Sequence, residues 1–297
     1  MNSSSTVVCK DLPEYLTLTV APNERLKMCW ESLIGIDPIK QQLLDDVVFH
    51  LHPDLLKQWY KRQYQRTLYA PFLLKQSRGT SLLLGCSGTG KTTLANGLAD
   101  QVSRRLKIKV NLVELGLFRS KLQGVTGYNI VRAFDVVKQL ALQRPSIFLL
   151  DELESVAPIR SFDQMHEEIR FSVTALIREL DKISSLDRTY IIGLSNLIAN
   201  IDIAVMRRFE LIFTFRRPTF KERTHLFENL LRPFRYQIYA IDEQDIYMLS
   251  RRTEGYTHAD ITKLVTLGVR KAASIDKPLT TWHLTNAMQW IQSTRDY

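Results

Sequence analysis

Short apolar runs and longer amphipathic stretches alternate through the middle of the chain. SLLLG (81–85), VNLVEL (110–115), SIFLL (146–150), TYIIGL (189–194) and ELIFTF (210–215) have the length of buried strands. Segments 91–106, 128–143 and 164–183 between them carry apolar residues at helical spacing. Strands alternating with helices predict an α/β domain whose parallel sheet is covered on both faces. Upstream, Ile39 to Leu51 shows the same helical spacing, and the helix ends near Pro53. Past Pro218 the strand-like runs stop. Segments 219–232, 242–252, 257–275 and 281–293 all read as helices, so a small all-helical domain (218–297) follows the larger one (29–217). Residues 1–28 hold Ser, Pro and few long apolar runs, and read as an arm too short to fold alone.

One stretch resists assignment by pattern. LLKQWYKRQYQRTLYAPF interleaves basic and aromatic residues. That composition suits a surface that tracks a nucleic-acid backbone and stacks its bases, with segment 57–66 at its centre. It equally suits an amphipathic helix whose aromatics face the core, the reading that ordinary packing favours.

Composition narrows the field only slightly. At 297 residues and 45% hydrophobic content the chain buries a sizeable core. Its 40 Lys+Arg against 31 Asp+Glu give a net charge of +9, which permits an acidic partner without requiring one. Cys9, Cys29 and Cys86 are scattered and odd in number, which points to a reducing compartment and no disulfide frame. The N-terminus lacks the features of a signal peptide, and no apolar run approaches the roughly 18 residues of a membrane span. A cytoplasmic location without membrane association is expected.

The strongest chemical signal is GCSGTGKT, Gly85 to Thr92, which follows the run SLLL and opens a helix. It fits the phosphate-binding loop G-x-x-x-x-G-K-[ST] in its proper strand-to-helix context. Gly85, Gly88 and Gly90 let backbone N–H groups close around phosphates, with Thr89 among them, and the helix N-terminus adds a favourable dipole. Lys91 reaches the β- and γ-phosphates of ATP, Thr92 holds Mg²⁺, and Thr93 lies next in the helix. Cys86 occupies a variable loop position that tolerates a small side chain. SIFLL then ends in Asp151 and Glu152. Asp151 suits a role in holding Mg²⁺ through water, and Glu152 suits a general base that polarises the attacking water. TYIIGL ends in Ser195 and Asn196, and the amide of Asn196 could bridge the water and the γ-phosphate, or simply start a polar turn. Glu154 has no assigned role.

Taken in order, WESLIG, GCSGTGKT, SKLQGVTGYNIVRAF, SIFLLDELESVAP, SN followed by IDIAVMRRFE, and GYTHADI resemble the successive signatures of the AAA+ ATPases. The resemblance runs from about residue 30 to the C-terminus. It is nearest to the AAA group that includes katanin, spastin and the pachytene-checkpoint-type remodellers of HORMA-domain proteins. It implies a P-loop NTPase fold, a five-stranded parallel sheet with a C-terminal helical lid, working as a ring, commonly a hexamer, with ATP between subunits. It also implies that Arg207 and Arg208 reach a neighbouring subunit's γ-phosphate, and that Asn196 is the family's sensor. By the same resemblance Gly35 and the turn at Thr257, His258 and Ala259 lie near the nucleotide. Ala259 stands where some relatives carry an arginine.

Ser120 to Gly127, SKLQGVTG, aligns with the pore loop that grips a polypeptide in such rings. Lys121 is followed by Leu122, where relatives usually carry an aromatic. APIRSFDQMH (157–166) is placed as a second pore loop. The function implied is an ATP-hydrolysing remodeller of a protein client, a HORMA-domain protein being one candidate. The alternative is a nucleic-acid-associated ATPase that uses KQWYKRQYQR as its contact surface.

Overall fold

The computed structural model describes residues 12–64, 77–116, 125–158, 167–183, 188–234, 241–291 and 293. These group into two compact units. The first takes the described residues up to Leu33, from Asp37 to Leu84, and from Lys91 to Thr214; the second takes Ile34–Ile36, Gly85–Gly90 and those from Phe215 onward.

The first unit is built on one sheet. Its strands are β1 (Leu16–Ala21), β2 (Thr80–Gly85), β3 (Val110–Leu115), β4 (Ser146–Leu150), β5 (Thr189–Ser195) and β6 (Leu211–Phe215), in the spatial order β1-β3-β4-β5-β2-β6. The pairs β3–β4, β4–β5 and β2–β5 are parallel, as the alternation of strands and helices requires. Every residue of β4 and β5 is buried, the continuous apolar signature of strands covered on both faces. All five expected strands are present.

The sixth strand was not expected. β1 pairs antiparallel with β3, Leu16 opposite Leu115 and Ala21 opposite Val110, so part of the segment read as an arm is an edge of the sheet. Helix α1 (Glu24–Glu31) follows it and starts from Asn23, whose side chain accepts from Arg25 N at 2.9 Å. Asn23 N donates in turn to the buried Asp100 carboxylate at 2.8 Å. Asp100 belongs to α4 (Lys91–Leu106), and on the same helix Gly97 allows the backbone of Trp30 to approach so closely that a Cβ there would meet Trp30 N at 2.6 Å. Small size at residue 97 and a buried acid at residue 100 therefore dock α1 on the helix that follows the glycine loop.

Helix α2 (Asp37–Leu51) buries Leu43, Leu44, Val47 and Val48. Helix α3 (Asp54–Tyr64) behaves differently, because none of its residues is buried. Trp59 is 43% and Tyr64 55% exposed, and the rings pack on one another, Trp59–Tyr64 at 5.9 Å and Tyr60–Tyr64 at 4.8 Å between centroids. For Trp59 and Tyr64 the expectation of a core-facing side is overturned, while Tyr69 and Phe72 of the same stretch lie outside the described residues: helical periodicity identified the helix but says nothing about whether a surface covers it. Residues 65 and 66 of the basic segment lie outside the described residues.

Helices α5 (Val125–Gln143) and α7 (Glu167–Ile183) supply Ile130, Phe134, Val137, Leu176 and Leu180 to one core with Leu82, Val113, Phe148 and Ile191 of the sheet. Phe134 meets Phe148 edge to face at 5.2 Å. Between them in sequence lies the single turn α6 (Leu153–Val156). A second short turn, α8 (Ile203–Met206), and the following Phe209 complete this core through Val205 and Phe209.

The second unit is helical, as expected. Its helices are α9 (Phe220–Leu231), α10 (Glu243–Arg252), α11 (His258–Ser274) and α12 (Thr281–Met288). The last ends before the expected 293. Capping boxes at Thr219/Glu222, Asp242/Asp245 and Thr257/Asp260 start the first three, each satisfying backbone donors that the helix leaves open. Phe227, Leu231, Ile246, Ile261, Leu264 and Leu284 form its core. Among the described residues no helix is long and apolar enough to cross a membrane.

Candidate functional site

Strands β4 and β5 are neighbours, and β2 lies beside β5, so the segments that leave their C-terminal ends are brought together. This is where open α/β sheets bind ligands. β2 runs into the glycine loop and α4, β4 into Asp151 and Glu152, and β5 into Asn196.

Within the first unit, four of the expected residues meet. Lys91 is buried at 5% exposure and its ammonium donates to Asn196 Oδ1 at 2.8 Å. Thr92 Oγ1 donates to Asp151 Oδ2 at 3.4 Å, and both residues are exposed. Two adjacent oxygen donors open to solvent fit Mg²⁺, which keeps several waters and takes few protein ligands. The other Asp151 oxygen accepts from Glu152 N at 2.8 Å. Glu152 itself is held at φ 50° and ψ 49°, the left-handed region that a side chain disfavours. Thr93, the next residue of α4, is half-buried.

Two further residues enter the site that pattern reading left aside. Glu154, on the turn after the acid pair, accepts from Asn196 N at 3.3 Å and so ties the β5 terminus to the β4 terminus. Glu114, one residue from the end of β3, has its carboxyl pushed up by burial, opposed by Arg25 and reinforced by Asp151. Glu154 lies within the quoted SIFLLDELESVAP but at a position with no assigned role, and Glu114 stands in no motif; strand order is what brings both to the site.

The second unit gathers the glycine loop with the segments at Gly35 and Thr257–Ala259. Gly88 has φ +80°, and a Cβ there would lie 2.6 Å from Thr257 Oγ1 and 3.0 Å from Ala259 Cβ, so the loop passes against the start of α11 only because residue 88 is glycine. Ala259 N donates to Gly88 O at 3.1 Å. Thr89 is buried, and its hydroxyl closes the loop by donating to Cys86 O at 2.9 Å. Gly85 and Gly90 also take positive φ. His258 Nε2 lies 3.0 Å from Ile34 O, next to Gly35, which packs against the Glu222 side chain. Burial holds the His258 imidazole below its usual pKa. In the neutral form Nε2–H donates to the carbonyl, leaving Nδ1 as a buried acceptor without a partner among the described residues.

The two adjacent arginines are not equivalent. Asp202 caps α8, its carboxylate accepting from Ala204 N at 2.7 Å, and Arg207 and Arg208 follow the single turn. Arg208 is half-buried: its guanidinium pairs with Asp181 of α7 at 3.2 and 3.3 Å and donates to Ala204 O at 3.0 Å. Arg207 is exposed, and among the described residues its side chain has no hydrogen-bond or ion-pair partner. Lys121, Leu122 and residues 159–166, the expected pore loops, lie outside the described residues.

Comparison with known proteins bears on the family and the fold. The profile of the ATPase family associated with various cellular activities (AAA) matches residues 81–217, from β2 to the end of the arginine-bearing segment. CD-NTase-associated protein 6 of Escherichia coli (strain MS 115-1) is 28% identical over 258 residues, 82% of this chain and 81% of that protein. Spastin of Naegleria gruberi is 30% identical over 241 residues, 79% of this chain but 41% of that protein. Among solved structures, a chain of the E. coli MS115-1 HORMA:CdnC:Trip13 complex has the same fold, with a TM-score of 0.83 over 94% of this chain and 96% of the other, at 24% identity. The glycine loop, the acid pair, the strand-end asparagine and the arginine turn all fall inside the matched segment, and residues 81–217 belong to the AAA family of ATPases.

Proposed function

We propose that this protein hydrolyses ATP as a ring, with each active site completed by a neighbouring copy, and uses the energy to remodel a protein client. The observation that carries this reading is Arg207. The other groups that hydrolysis needs sit at the ends of β2, β4 and β5, whereas Arg207 is exposed and its side chain has no hydrogen-bond or ion-pair partner among the described residues.

In the proposed mechanism the loop Gly85–Gly90 and Thr89 hold the phosphates of ATP through backbone N–H groups, and Lys91 exchanges Asn196 for the β- and γ-phosphate oxygens. Mg²⁺, when bound by Thr92 and Asp151, offsets the charge on those oxygens. Glu152 takes a proton from the attacking water as the new bond to the γ-phosphorus forms and the bond to the ADP oxygen breaks. Asn196 orients that water. Arg207 of the neighbouring copy stabilises charge on the transferred phosphoryl group, an effect worth about 10³ to 10⁵ in rate where arginine fingers have been removed. Arg208, committed to Asp181, acts by holding the turn. Gly35, His258 and Ala259 contact the rest of the nucleotide.

Mixing tests the assembly. An Arg207→Ala protein and a Lys91→Ala protein, each with low turnover, regain activity together if the arginine acts in trans. Full activity of a demonstrated monomer rules the scheme out.

For the client we infer a HORMA-domain protein, since the solved complex with the same fold includes one. Lys121 and Leu122 grip it in the ring's channel. A Glu152→Gln protein, which binds ATP without turnover, should capture the client in a pull-down. Leu122→Ala should impair remodelling far more than basal hydrolysis, and equal loss of both would remove the pore-loop role.

Helix α3 favours a second reading. Its exposed Trp59 and Tyr64 beside Lys57, Lys61 and Arg62 suit a single-stranded nucleic acid. Filter binding across a salt series decides it: no affinity near physiological salt removes this reading.

A further inference from the structure

The turn that carries Arg207 is fastened by several hydrogen bonds to the start of β2 and to the residues just before it. Thr80, the first residue of β2, donates its hydroxyl to Arg208 O at 2.8 Å, and Thr80 Oγ1 in turn accepts from Glu210 N at 3.1 Å. Glu210 N also donates to Thr80 O at 3.1 Å. Arg78 Nη1 donates to Arg207 O at 3.4 Å. The carboxylate of Glu210 then reaches back: its Oε2 accepts from Arg78 N at 2.8 Å and from Ser77 Oγ at 3.2 Å. Behind Ser77 stands His50, whose Nδ1 is 3.5 Å from that hydroxyl and whose Nε2 is 3.0 Å from Thr189 O of β5.

The carbonyls of both arginines are therefore held from the Arg78–Thr80 side, and Glu210 closes the loop around them. Glu210 is exposed, and polar contacts of exposed carboxylates contribute little to folding. What they do fix is the direction of a short turn. α8 is a single turn with no length of its own to set where residue 207 points. A guanidinium must reach a phosphate within tenths of an ångström to act, so the orientation of this turn matters more than its stability.

We propose that Glu210 is the positioning residue for arginine delivery: through Ser77 and Arg78, with Thr80 beside it, its carboxylate fixes the turn that presents Arg207 to a neighbouring copy. This rests on the reading that Arg207 acts in trans. Glu210 touches neither nucleotide nor client, and it acts only through the turn.

The test uses directed mixtures of full-length chains and measures phosphate release. In the reference pair, Arg207→Ala receives arginines and Lys91→Ala donates them. Adding Glu210→Ala to the donor chain should lower the restored turnover roughly 10- to 100-fold. Adding it instead to the receiving chain should leave the restored turnover within about twofold, because that chain donates no arginine. Glu210→Gln in the donor keeps an acceptor oxygen for Ser77 and Arg78 and should recover activity to within about threefold of the reference.

Equal losses from donor and receiver placement would show a merely structural role and overturn the proposal. So would an undiminished donor, or a Gln variant as poor as Ala. If the reference pair itself shows no restoration, delivery in trans fails and the proposal falls with it, an outcome distinct from the other three.

Discussion

Glu152 is the residue whose backbone and chemistry make opposite demands. At φ 50° and ψ 49° it sits where Cβ crowds the following carbonyl, at a cost of about 1–2 kcal/mol. Little local structure offsets this. It is the N-cap of a four-residue helix yet its side chain makes no capping hydrogen bond, and its N–H is turned back onto Asp151. Glycine at this position removes the crowding but gives the unfolded chain extra freedom worth about 0.5–1 kcal/mol. The net gain for Glu152→Gly is about 0.5–1 kcal/mol.

Glu152→Gln is the proper reference, because it removes the carboxylate while keeping Cβ and the same backbone demand. Thermal unfolding of the two proteins without nucleotide should place the Gly variant about 1–4 °C above the Gln variant. Phosphate release should be lost in both, since neither has a group to take the water proton, while the Gln variant still binds ATP. Equal melting temperatures would refute the claim that the site holds strain. Normal turnover in either variant would refute the general-base assignment, independently of the first result.

The two arginines should separate by assay. Arg208→Ala and Asp181→Ala should each cost about 0.5–1 kcal/mol in urea unfolding, and Arg207→Ala nothing measurable, whereas Arg207→Ala should cut turnover by about 10³-fold or more; equal stability losses would contradict the division of roles. Gly88→Ala combines a disfavoured φ with a Cβ 2.6 Å from Thr257 Oγ1 and should cost about 2–4 kcal/mol of local stability, read as a large drop in affinity for a fluorescent nucleotide. Unchanged affinity would mean that the loop relaxes freely. In the helical unit, the Arg216 guanidinium beside Glu222, with Thr219, holds its carboxyl at about 2, against an ordinary 4.5. The unfolded chain therefore binds this proton first, so stability present above about pH 4.5 is lost as pH falls towards about 2. Arg216 is largely exposed, and screening limits the contribution to about 1–2 kcal/mol. Glu222→Gln should flatten the acid limb of urea midpoints by that amount, and parallel curves for both proteins would refute the linkage.

The elements that the sequence made legible are those whose chemistry is local. GCSGTGKT announces itself because three glycines, a lysine and a threonine must stand in one short run to wrap a phosphate, and β4 and β5 because strands buried on both faces become uninterrupted apolar runs. β1 was missed for the complementary reason. LTLTVA lies at a sheet edge with only part of its length buried, so it alternates instead of running apolar, and it sits amid Ser and Pro that suggest an arm. Helix α3 shows a different limit: periodicity revealed the helix, but whether Trp59 and Tyr64 are covered depends on a surface elsewhere in the chain.

The arginine turn marks where local reading ends. That AVMRRFE should carry two arginines to a phosphate followed from resemblance, but nothing in those seven residues distinguishes Arg207 from Arg208. The distinction is made by Asp181, 27 residues away, and by Thr80, 128 residues away. The Thr80 contact depends on the order of the strands: β6 must lie beside β2 for Thr80 to meet the turn, and sequence order alone leaves that placement open. Division of labour between adjacent identical residues is thus a property of topology, and variants of Asp181 or Thr80 should redistribute it without changing either arginine.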